Sequence, residues 1–270
     1  MTSLLMLLFM LGCAAQPKQA DLREPSERDV QHMRYQMAER LVQKRDYQSA
    51  APYIRSLLQK FPKSARLHLL LGKVLRAKGV YKGAQQELKR ALALAPTDAD
   101  VHTALAVLFG FTKRYDAAER AHRRALELAP KIARHHNDFG AFLLARRRLK
   151  EAREALEEAI RLNPSMRRAF NNLGFVLGLM GEHEPAMKAF SQAGSRAAAL
   201  TNMGVVAQLR GQPMSARRYY EKALQREQGY RPALKNLEAL EPGRFGDETP
   251  ASQPKKETRD AKSEAKSGAH

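Results

Sequence analysis

Tryptophan is absent from this 270-residue chain, aromatic residues make up only 7% of it, and cysteine occurs once, at Cys13. A lone cysteine leaves no disulfide framework to form. With so few large rings, the apolar content comes mainly from Ala and Leu, as close packing between helices needs. Nowhere do apolar and polar residues alternate with the two-residue period of a strand. No apolar run reaches the roughly 20 residues of a membrane-spanning helix. The longest, LLMLLFMLGCAA from Leu4 to Ala15, has the size of the apolar part of a secretory signal. Also missing are a phosphate-binding glycine loop, a nucleophile elbow and a zinc-protease motif. No catalytic residue, metal ligand or cofactor is therefore expected, and the chain is read as a non-enzyme.

What the chain does have is a ruler. Small residues stand at Ala38, Gly72, Ala106, Gly140, Gly174 and Gly204, and again at Ala50, Ala84, Ala118, Ala152, Ala186 and Ala216. In both series the first four steps are 34 residues and the last is 30. Prolines keep the same step at Pro62, Pro96, Pro130 and Pro164. Between them apolar residues follow a helical period, as in Leu71, Leu75, Leu88 and Ala91, or Phe139, Leu143, Leu156 and Ala159. A small residue in each of two helices lets them cross closely, and a proline helps end the second.

This period is the signature of the tetratricopeptide repeat, a helix pair that stacks on its neighbours. The expected fold is all-α, a right-handed superhelix of six helix hairpins. The repeats are placed at 31–64, 65–98, 99–132, 133–166, 167–196 and 197–228. The fifth lacks its closing proline and four residues, with Gly194 and Ser195 marking a tighter turn. Residues 229–240 are expected to cap the stack, with Leu234, Leu237 and Leu240 on one stripe of a helix from Pro232 to Leu240.

The ends are different material. Cys13 closes the apolar run behind Leu11 and Gly12, an arrangement that resembles the lipobox of bacterial lipoproteins. Residues 1–12 are then a signal peptide, Cys13 the acylated mature N-terminus, and 13–30 a polar, proline-containing tether. For lipoproteins of this kind, Ala14 after the cysteine implies the outer membrane. Residues 241–270, rich in Pro, Gly, Ser, Lys and Glu, are expected to be disordered.

The chain carries a formal charge of +19, and because both ends are close to neutral the repeats hold about +20 of it. Much of this lies at turns between paired helices, as in Lys44–Arg45, Lys113–Arg114 and Arg146–Arg148. Such a surface suits anionic headgroups or an acidic protein segment. Nucleic acid is not expected, since no base-reading module or aromatic platform accompanies the charge. His68, His102 and His136, also 34 apart, look like a ladder of ligands. Phe170 and Leu200 hold the same position later, so it is read as a packing position. Stacked helices at roughly 10 Å are too far apart to share one zinc. Glu157 and Glu158 with Arg153 and Arg161 have the spacing of surface ion pairs.

Binding is expected instead in the concave groove, lined by the second, fifth, ninth, twelfth and thirteenth residues of each repeat. Candidate contacts there are Arg66, Lys73, Phe111, Arg134, Asn137, Arg168, Asn171 and Phe175, with Asn clamping the backbone of an extended or helical peptide. The stretches VHTALAVLF (101–109), ARHHNDFGAFLL (133–144) and RAFNNLGFVLGLMG (168–181) resemble repeats of the type IV pilus pilotin lipoproteins, the PilF, PilW and Tgl type. The resemblance implies a lipidated cysteine followed by six repeats, and a role in localising and multimerising the secretin, the outer-membrane channel of the pilus. By the same resemblance the secretin is the protein partner, and the groove around Asn137, Asn171 and Phe175 is its contact. The alternative function is a lipid-anchored periplasmic scaffold that recruits cell-wall enzymes.

Overall fold

A computed structural model describes residues 26–240. The signal segment, Cys13, most of the tether and the tail at 241–270 lie outside the described residues. Among the described residues there are thirteen α-helices and no strand. The chain divides into two units after Leu108. In the first, α1 (Glu27–Gln43) pairs with α2 (Tyr47–Lys60) and α3 (Ala65–Ala77) with α4 (Tyr81–Leu94), and α5 (Ala99–Phe111) follows. In the second, the last residues of α5 lead to α6 (Tyr115–Leu128). Three hairpins come next: α7 (Ala133–Ala145) with α8 (Leu149–Leu162), α9 (Arg167–Met180) with α10 (His183–Ala193), and α11 (Arg196–Leu209) with α12 (Pro213–Arg226). α13 (Arg231–Leu240) packs on α11 and α12.

Each hairpin closes on its small residues. All six alanines from Ala50 to Ala216 are fully buried. The glycines of the other series face a large side chain of the second helix in the same repeat. A methyl group on Gly72 would lie 2.6 Å from Leu88 Cγ, one on Gly140 2.6 Å from Leu156 Cγ, and one on Gly174 2.6 Å from the Phe190 ring. Gly204 stands in the same relation to Tyr220. The period in small residues is thus a period of knobs, the twenty-fourth residue of these four repeats filling the space a side chain at the eighth would need. Every proline of the ruler sits two residues past a helix end. The residue before it, as at Ala95 and Ala129, has left helical geometry with ψ near 70°, as the ring requires.

The turns inside the hairpins share one construction. Six bonds run from Asp46, Val80, Arg114, Arg148, Glu182 and Gln212 N–H to the carbonyl five residues back, at 2.8–3.0 Å. This is the Schellman closure, which places the preceding residue in the left-handed region. Gly79, Gly181 and Gly211 occupy that place in three repeats, with φ of 77°, 93° and 72°. Arg45, Lys113 and Arg147 occupy it in the others, at 58°, 60° and 59°. A side chain there costs about 1–2 kcal/mol, partly offset by the greater freedom of glycine in the unfolded chain. Lys113→Gly and Arg147→Gly are each expected to stabilise by about 0.5–1 kcal/mol. Gly79→Ala, where a methyl meets nothing within 4 Å, is expected to destabilise by a similar amount through the backbone alone. Urea midpoints of the three variants measure this.

One boundary and one buried face differ from the expectation. α1 starts at Glu27, four residues ahead of the first repeat as placed, because Ser26 and Asp29 form a reciprocal capping box that satisfies two terminal N–H groups. In α13 the buried stripe is Ala233 and Leu237, with Leu240 half-buried and Leu234 exposed. The three leucines therefore do not share one buried face.

Candidate functional site

Asparagine recurs in the first helices of the second unit because it links one hairpin to the next. Asn172 Nδ2 donates to Asn137 Oδ1 at 3.0 Å, and one repeat later Asn202 Nδ2 donates to Asn171 Oδ1 at 2.8 Å. In both bonds the sixth residue of a repeat reaches the fifth of the repeat before it. A buried amide left unpaired would cost about 1–3 kcal/mol, so the pairs fix the register of α7, α9 and α11.

Beside this ladder lies an open pocket of about 440 Å³. Asn137, Asn171, Asn172 and Asn202 form one side; Phe190, Ala193, Gly194 and Ala198 form another; Arg167 and Arg168 stand at its rim. The shortened fifth repeat shapes it. α10 has 11 residues where α8 and α12 have 14, so the chain turns back early at Gly194 and Ser195, with the Ser195 side chain capping α11. Arg167 Nε donates to Ala193 O at 2.7 Å and ties that turn to α9. No acid lines the pocket. Its polar chemistry joins guanidinium donors to carboxamides that both donate and accept, which matches the backbone of an extended peptide and, at Arg168, a carboxylate.

The expected contacts distribute unevenly. Arg168 and Asn171 line the pocket, Arg168 exposed and Asn171 half-buried. Asn137 does not present a clamp: it is 3% exposed, accepts from Asn172 and donates to Asp138 at 3.0 Å, so it forms part of the wall. Phe175 packs edge-on against Phe190 at 5.0 Å and supports the core behind the pocket. Arg134 is exposed on α7, and Phe111, 58% exposed, stands at the end of α5; neither lines the pocket. In the first unit Arg66 is held by Glu39 at 2.7 Å and lies over the Tyr35 ring at 5.5 Å, while Lys73 is half-buried in α3. The sequence reading missed Arg167, Asn172 and Asn202. The doubled Asn171–Asn172, one residue more than the recurring Asn-x-x-Gly needs, was the signal for two of the linking amides.

The histidine ladder has a role beyond packing. Nε2 of His68, His102 and His136 lies 2.9, 2.8 and 2.7 Å from the carbonyls of Pro62, Pro96 and Pro130. Each ring thus ties a first helix to the proline that closes the helix before. His68 Nδ1 also faces Glu87 Oε2 at 2.6 Å. Among the described residues no group of three or more His, Cys, Asp or Glu is placed to hold a metal ion. The acidic stripe on α8 is paired as its spacing suggested, Arg153 with Glu157 at 2.7 Å and Arg161 with Glu158 at 2.6 Å. Arg161 holds the Glu158 carboxyl below its ordinary range. Between repeats, Arg148 reaches Glu119, and 34 residues later Arg153 in Glu119's place reaches Glu182 in Arg148's, the same contact with its signs exchanged.

Three family models, each described as Tetratricopeptide repeat, match successive stretches of the chain: 41–108, then 103–167 and 139–202, then 196–228. Among solved structures, PilW, described as a widely conserved type IV pilus biogenesis factor, is similar with a TM-score of 0.62 at 22% identity, over 77% of this chain and 98% of that one. PilF of Pseudomonas aeruginosa is similar with a TM-score of 0.59 at 22% identity, over 78% and 98%. The Cut9–Hcn1 assembly of the APC/C reaches 0.60 at 15% identity, over 75% of this chain and 41% of that one. At these identities the likeness establishes the fold. No curated protein matches the chain in sequence.

Proposed function

Since the chain belongs to the tetratricopeptide-repeat family, whose stacked hairpins hold protein segments, we propose that it acts by grip, as a pilotin. In this reading it is an outer-membrane lipoprotein, acylated at Cys13, that binds the type IV pilus secretin during its localisation and multimerisation. The observation that carries the reading is the extent of the match to the two pilus proteins, which takes in 98% of each of those chains. The apolar leader ending at Cys13 supports the anchor. The amide- and arginine-lined, acid-free pocket at Arg168 and Asn171 is the proposed contact for the partner's backbone or carboxylate groups.

Deleting the gene and following secretin on a gel that preserves heat-resistant multimers tests this. Multimers are expected to disappear on deletion and to return with the parent gene. With Arg168→Glu the expected recovery is well below half, because that side chain is exposed, lines the pocket and is not part of the core. Cys13→Ala is expected to release the protein into the soluble periplasmic fraction. Unchanged multimers with altered cell-wall hydrolysis would replace this reading with the scaffold alternative.

A further inference from the structure

Two left-handed turns of the second unit hold cations where glycine is the easier residue. Lys113 and Arg147 are strained at φ of 60° and 59°, and backbone strain that persists on an exposed surface points to a use for the side chain. The two turns are neighbours. Arg146 stacks on the Tyr115 ring at 3.9 Å from its centroid, and Arg148 reaches across to Glu119. Arg114 lies over the Phe109 ring at 4.5 Å. Over these rings the Arg114 and Arg146 guanidinium groups keep their full charge at an exposed edge. The nearby acids Glu119 and Glu151 are both taken by Arg148. Asp116 is exposed at the border, and Glu182 and Glu184 mark where the next turn becomes acidic. Beside the cations stands Phe111, an aromatic ring 58% exposed.

We propose that this edge, Phe111, Lys113, Arg114, Arg146 and Arg147, rests on an anionic lipid surface. None of these five residues lines the pockets at Arg55, Asn137 or Arg231; what the edge offers a partner is charge and one ring. A plane of mobile lipid phosphates needs no more than that: juxtamembrane cations attract it, and an aromatic side chain settles at the headgroup level. A folded acidic protein would have to supply a complementary shape. The inference does not depend on acylation at Cys13 and sits on a different part of the second unit from the pocket at Arg168.

The test uses the chain from Ala14 onward, so that neither the apolar leader nor an acyl group contributes, and vesicles of phosphatidylethanolamine with phosphatidylglycerol beside vesicles of phosphatidylcholine. Sedimentation is expected to show stronger partition onto the anionic vesicles, weakening as salt rises. The pair Lys113→Gly and Arg147→Gly is expected to weaken that partition about 25-fold, roughly fivefold for each cation removed. These substitutions relieve backbone strain, so unfolding does not explain the loss. Removing the same charge from α12, with Arg218→Gln and Arg226→Gln, is expected to leave partition unchanged. Equal binding to both vesicle types overturns the proposal, as does a glycine pair that binds like the parent or an α12 pair that loses as much. Capture by a polyglutamate peptide without capture by anionic vesicles also overturns it, in favour of an acidic protein partner.

Discussion

Valine at Gly174 is expected to lower the unfolding free energy by about 1–3 kcal/mol and alanine at Phe190 by about 3–5, while both together cost less than the sum. A methyl on Gly174 would lie 2.6 Å from two atoms of the Phe190 ring and 2.9 Å from a third, contacts no packed carbon sustains. The ring has nowhere to go. Phe190 is 1% exposed and held edge-on by Phe175. Glycine inside a helix is intrinsically poorer than other residues by up to about 1 kcal/mol, so a net loss on replacing it shows that the approach of α9 to α10 outweighs helix propensity. Phe190→Ala leaves a cavity against that same glycine, and a valine at 174 projects into it. The coupling in the double variant is expected to be about 0.5–3 kcal/mol of relief. Urea unfolding of the parent, both single variants and the double measures it; strictly additive losses would show that the two side chains do not share one space.

The same glycine shows how much of the molecule was legible in the chain. Spacing alone located the close crossings, because only the smallest residues permit them and the period repeats their positions. It did not name the opposing knobs, since Leu88, Leu156, Phe190 and Tyr220 look like any core residues until their direction is known. The proline ruler marked the helix ends because the ring acts on the residue just before it. The left-handed turns were half-visible: Gly79, Gly181 and Gly211 are suitable for them, whereas Arg45, Lys113 and Arg147 gave no local sign and were read only as charge. The site was less legible still. Arg168 and Asn171 fell where the repeat register put them, but the register counts positions and not partners. It therefore offered Asn137 as a clamp, although the amide of the next repeat already occupies it. The pocket itself arises from the four residues missing in the fifth repeat, a departure from the period rather than a product of it.

Acid is expected to destabilise the second unit through one imidazole. His122 on α6 is 2% exposed, with its ring 5.5 Å from that of Phe139 and 5.3 Å from that of Phe142 on α7. Burial pushes its pKa down from 6.5 to about 4; the nearby His135 adds to the fall, and Glu119 opposes it. The folded chain therefore keeps the ring neutral where the unfolded chain takes up a proton. Stability from this residue is complete above pH 6.5 and is lost as the pH falls from 6.5 toward 4. The loss is on the order of 3 kcal/mol by pH 4 and about half of that near pH 5.5. His122→Leu keeps an apolar side chain of similar size between the two rings and has no proton to gain. At neutral pH the variant is expected to fold with comparable stability. Its unfolding midpoint should then fall much less than the parent's between pH 6.5 and pH 4, the difference isolating this ring from the carboxylates that titrate in both. Denaturation curves of the two chains across that range decide the matter, and parallel acid losses would mean that His122 is charged, or solvated, in the folded state.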